Sequence, residues 1–86
     1  MKFTVVCDEE VQSQLLGIWL NASDPNAVTV AANEIERLLC EQPTQAATHV
    51  SEGLWKLTSP PLSALFEVRN ADRVVVIASF SRSRMG

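Results

Sequence analysis

The sequence predicts an α+β fold, with a two-helix hairpin packed on one face of a mainly antiparallel four-stranded sheet. Three observations carry this expectation. Two segments, Val11 to Ala22 and Val28 to Leu39, place apolar residues at helical spacing, and only a short polar turn separates them. From about Thr48 onward the apolar period drops from 3.6 to 2. The chain has 86 residues, 47% of them apolar and 20% charged, which is the composition of one globular domain, taken here as 1–86.

Each element has its own local cause. Phe3, Val5 and Cys7 alternate with Lys2, Thr4 and Val6, as in a short half-buried strand. Asp8 then offers a helix N-cap, and Asp8-Glu9-Glu10 sets three carboxylates at the positive end of the helix dipole. Val11, Leu15, Ile18 and Ala22 form one helical face, which Leu16 and Trp19 widen. Asp24-Pro25 is the start signal of a second helix: a capping acceptor followed by proline at the first helical position. That helix carries Val28, Ala31, Ala32, Ile35, Leu38 and Leu39 and must stop before Pro43. In the second half Leu54 to Leu57 reads as strand, and Pro60-Pro61 breaks it. Leu62, Ala64, Phe66 and Val68 mark one face of the next strand. Asn70-Ala71-Asp72 makes a hairpin turn, and Arg73 to Phe80 is apolar on both faces, as a covered central strand would be. The expected core joins Leu15, Ile18, Ile35, Leu38, Phe66, Val68, Val75 and Ile77.

Charge and cysteine content exclude several classes. A net charge of −3 and a pI near 4.9 argue against direct generic DNA binding. The charge is uneven: residues 1–48 hold two bases against seven acids, and residues 49–86 hold five bases against three acids. An anion-binding surface must therefore come from the second half. Cys7 and Cys40 lie far apart and form no CxxC pair, so neither a disulfide scaffold nor a zinc ribbon is expected. No run of apolar residues reaches membrane-spanning length, and the chain starts without a leader-like apolar stretch, so no membrane association and a cytoplasmic location are expected.

Most catalytic constellations are missing. His49 is the only histidine, placed in a polar connection after Pro43, where a solvated loop histidine is expected. One histidine and two distant cysteines make no metal ligand set, and three scattered glycines make no phosphate loop, so neither metal nor cofactor is expected. Two features stand out. Trp19 and Trp55 either fill the core or form a contact surface. Lys56, Arg82 and Arg84 are either solvated charges or a basic set gathered round one phosphate.

The chain resembles the RelE/ParE toxins of bacterial type II toxin–antitoxin (plasmid-stabilisation) systems. The residues that carry the resemblance are Ile18-Trp19, Asp24-Pro25, Ala31-Ala32, Ile35 and Leu38-Leu39 in the helical half. In the second half they are Glu52-Gly53-Leu54-Trp55-Lys56-Leu57, Pro61-Leu62, Leu65-Phe66-Glu67-Val68 and Asp72-Arg73-Val74-Val75-Val76. The resemblance implies a toxin held inactive by a neighbour-encoded antitoxin that wraps it as helix and strand. It implies one of two targets: the ribosome, where the RelE branch cuts mRNA in the A site, or DNA gyrase, which the ParE branch poisons. If the chain is an enzyme, it is then a ribosome-dependent mRNA endonuclease. Lys56 matches a functional lysine after the Gly53 turn, and Arg82 or Arg84 could supply the arginine after the last strand. Leu54 stands where a further lysine is expected and Ser63 where the phosphate-contacting arginine would be, and the terminal tyrosine has no counterpart in a chain without tyrosine. The acidic pI also departs from the usual basic toxin. The expectation is a toxin fold without efficient RelE-type cleavage, the alternatives being a ribosome-dependent mRNA endonuclease with an altered residue set and a non-toxic interaction module with the same fold.

Overall fold

A computed structural model describes residues 2–83 of the protein. Its elements are β1 (Thr4–Val6), α1 (Glu9–Asn21), α2 (Pro25–Glu41), β2 (Thr48–Ser51), β3 (Leu54–Ser59), β4 (Leu62–Arg69) and β5 (Val74–Arg82). The strands form one sheet in the order β1-β5-β4-β3-β2. β1 pairs parallel to β5 and every other pair is antiparallel. The α+β class and the helical hairpin are as the sequence predicts. Among the described residues the sheet has five strands, not four.

The additional strand is β2, in the connection where a loop was expected. All four of its residues are exposed, so no apolar alternation marks them. Its pairing comes from the tight turn at Glu52-Gly53, where Gly53 takes a φ of +76°, a left-handed conformation that a side chain disfavours. His49 is consequently a strand residue. It sits opposite Trp55, with the two rings edge to face and centroids 5.0 Å apart.

Both helix starts form as their residues dictate. The Asp8 carboxylate accepts from the Val11 N–H at 3.0 Å, and that of Asp24 accepts from the Ala27 N–H at 3.3 Å, with Pro25 next in line. Replacing Asp8 by Ala is expected to lower stability by about 1 kcal/mol, a loss that equilibrium urea unfolding resolves. α2 ends at Glu41, two residues before Pro43.

Val11, Val28, Ala31, Ile35 and Leu39 of the helices bury against Leu57, Leu62, Ala64, Phe66, Val75 and Ile77 of the sheet. The helices therefore cover one sheet face. Of the expected core residues, Ile35, Phe66, Val75 and Ile77 are buried, whereas Leu15, Ile18, Leu38 and Val68 pack around this centre half-buried. Among the described residues no helix is long and apolar enough to cross a membrane.

On the exposed side of α2, Arg37 bridges Glu34 at 2.6 Å and Glu41 at 3.1 Å. Its hydrogen bond to Glu34 holds that carboxyl below the usual glutamate value of 4.5. A lowered folded-state pKa gives stability that is present above the unfolded value and disappears as pH falls through the folded one. Wild type is therefore expected to lose slightly more stability than Glu34→Gln between neutral pH and the acid side of 4.5. Urea midpoints of both proteins at the two pH values check this.

Candidate functional site

Side chains alternate across a strand, and residues directly opposite in an antiparallel pair share a face. The registers Lys56↔Leu65↔Ser79 and Thr58↔Ser63↔Ser81 thus define the sheet face away from the helices. Lys56 is exposed there. The neighbouring row is a hydroxyl cluster: Thr58 Oγ1 and Ser63 Oγ lie 2.8 Å apart, and Ser63 is only 5% exposed. Leu54, opposite Glu67, belongs to the same face. The two positions at which the resemblance leads one to expect cations, 54 and 63, therefore lie on the Lys56 face and are occupied by leucine and serine.

Arg82 lies on the other face. In the first part of β5, Val75 and Ile77 point to the core. Between the pairs Leu65↔Ser79 and Phe66↔Ile77 the register shifts, leaving Ala78 as an extra residue on β5. One extra residue inverts every side chain beyond it. Phe80, opposite Ala64, turns into the core, and Arg82, opposite Leu62, follows it to the helix side. There it lines a groove with Gln14, Gly17, Ile18 and Asn21 of α1. The main chain is pinned at the same place, where the Phe80 N–H donates to Gln14 Oε1 at 3.0 Å. Lys56 and Arg82 are thus not brought together on one sheet face, and Arg84 lies outside the described residues.

The other residues singled out resolve as follows. Trp55 packs half-buried on the core. Trp19 stays 40% exposed, its indole N–H donating to Thr29 Oγ1 at 3.1 Å across the hairpin. Cys7 and Cys40 are half-buried free thiols. Among the described residues no group of three or more His, Cys, Asp or Glu is placed to hold a metal ion. The open-face hydroxyls were not singled out in the sequence. Their only trace there is Thr58 and Ser63 on either side of Pro60-Pro61, and Ser79 and Ser81 at alternate positions of β5.

This arrangement of helical hairpin and sheet is the RelE toxin fold. A chain of the RelBE2 toxin–antitoxin complex from Mycobacterium tuberculosis matches it with a TM-score of 0.78 at 14% identity, over 95% of this chain and 99% of that one. A chain of the archaeal RelE–RelB complex from Pyrococcus horikoshii matches with a TM-score of 0.73 at 16% identity over the full length of both. A mutant E. coli RelE toxin in the free state matches with a TM-score of 0.66 at 14% identity, over 98% of this chain and 86% of that one. No family model matches the sequence, and no curated protein matches it significantly.

Proposed function

We propose that this protein is the toxin of a type II toxin–antitoxin pair, acting in the cytoplasm and held inactive by a neighbour-encoded antitoxin. One observation supports this above the others: the fold match to a chain of a toxin–antitoxin complex runs over 95% of this chain and 99% of that one. The open face argues about the activity. RelE-type cleavage needs several cations around one phosphate, and here Lys56 has Leu54, Ser63 and hydroxyls as its face neighbours, with Arg82 on the opposite face. The reading is therefore a toxin whose lethal contact is not efficient message cleavage. Growth arrest without cleavage would then leave the gyrase-type branch, or another target, as the better reading.

Inducible expression tests it. Growth is expected to stop on induction and to resume when the neighbouring reading frame is co-expressed, with labelled amino-acid and thymidine incorporation reporting which process fails first. A folded, accumulating protein that leaves growth unchanged would overturn the toxin reading in favour of an interaction module.

A further inference from the structure

The helix side of the molecule carries a second feature, away from the open sheet face. Between α1 and α2 runs an apolar groove of about 320 Å³ lined by Leu15, Leu16, Trp19, Val28, Ala32 and Phe80. Leu16 is 56% exposed and Trp19 40%, a large apolar surface for so short a chain. The Trp19 ring is held in place, because Nε1 donates to Thr29 Oγ1 at 3.1 Å and the Thr29 hydroxyl donates to the Pro25 carbonyl at 3.3 Å. A rigid aromatic wall loses little entropy when covered, which is the property of an interface anchor.

The charges around the groove select what covers it. Its lining ends in Gln12 on α1 and Asn33 on α2. Three residues beyond these, on the same helical stripes, stand Glu9 and Glu36, both exposed. Neither forms an ion pair: the ion pairs among the described residues are Arg37 with Glu34 and Glu41, and Arg69 with Glu67. Lys2 borders Glu36 without closing on it. The half of the chain that builds this side, residues 1–48, carries seven acids and two bases. A second copy of the chain would bring those acids against their own kind, and an acidic segment would do the same.

We infer that the groove between α1 and α2 docks an amphipathic helix of a partner chain, with its apolar row against Leu16 and Trp19 and basic residues over Glu9 and Glu36. The inference rests on the reading of the protein as a component held by a partner, and it gives that partner's helix a basic polar face. Helix-in-groove docking provides the affinity through the apolar anchors, and the basic residues provide selection among helices.

The probe is a synthetic helical peptide of about 18 residues with leucines along one face and lysines elsewhere, together with a twin carrying glutamates in place of the lysines. Trp19 emission reports docking in a Trp55→Phe background. The lysine peptide is expected to saturate with a blue shift and to bind at least about tenfold more tightly than its twin. Glu9→Gln with Glu36→Gln should cut that preference to about threefold or less. Leu16→Glu decides between docking and mere attraction of charges. It adds an acid, so non-specific attraction would strengthen binding, whereas docking in the groove loses about tenfold or more. Circular dichroism of the variant confirms that this exposed position leaves the fold intact.

Equal affinity of the two peptides, an unmoved Trp19 signal, or binding that Leu16→Glu leaves unchanged or improves would overturn the inference. So would concentration-dependent dimerisation abolished by Leu16→Glu, which would assign the groove to a second copy. The peptides need no toxicity to bind, so a negative growth experiment and a negative titration are separate failures.

Discussion

Phe66→Ala is expected to cost about 3–5 kcal/mol of stability and Ile35→Ala about 2–5 kcal/mol. Both side chains are fully buried in one cluster drawn from both layers, Phe66 on the central strand β4 and Ile35 on α2. Removing either leaves a cavity between helix and sheet that neither layer can close without breaking its own hydrogen bonds. Small domains hold only about 5–15 kcal/mol in total, and a chain of this size sits toward the lower end. Either substitution alone is therefore expected to move the urea midpoint by a large part of its range, with m unchanged. Leu38→Ala, at a half-buried position outside the buried centre, should cost clearly less. Equal losses at Leu38 and Ile35 would show that the core is not centred where these burials put it.

Ribosome-bound message is expected to be cut weakly or not at all. A single donor aimed at developing transition-state charge is worth about 2.7–4 kcal/mol, or 10²–10³ in rate. Leucine at 54 and serine at 63 leave two such places on the Lys56 face without a cation. Primer extension on ribosome-bound mRNA measures this directly. Any residual cleavage should fall on Lys56→Ala and be indifferent to Arg82→Ala, because Arg82 stands among α1 side chains on the other face. Robust A-site cleavage by wild type, or cleavage lost equally in both variants, would remove the argument from sheet geometry.

The helical half was readable residue by residue because its signals are local. Asp8, Asp24 and Pro25 act within one turn of where they stand, and Val28, Ala31, Ile35 and Leu39 fall on one stripe by spacing alone. β2 was not readable. Its four exposed residues carry no alternation, and what makes them a strand is the neighbouring β3 brought alongside by the Gly53 turn. The candidate site was half legible. Lys56 could be placed on a strand, but which face it shares depends on pairing registers that the sequence does not record. Arg82 went to the wrong company for one reason: simple alternation from Val75 and Ile77 would place it outward, and the bulge at Ala78 reverses it.

That bulge has a bearing on how such a scaffold changes over generations. Deleting the single codon for Ala78 would remove the extra residue and restore plain alternation after Ile77, so Ser79 and Ser81 would still face outward and Phe80 and Arg82 the helices. Inserting one residue after Ser79, with the bulge kept, would instead exchange the two sides of the strand end, sending Phe80 into water and Arg82 onto the open face while Ser81 turned toward the helices. A cation would reach the Lys56 face in one event, at the cost of an aromatic from the core, and a later substitution of Ser81 by a large apolar residue could refill the space. Chemistry on one side of the sheet and packing on the other are thus inherited together here, and a lineage can trade one for the other through a change of length that leaves every other residue the same.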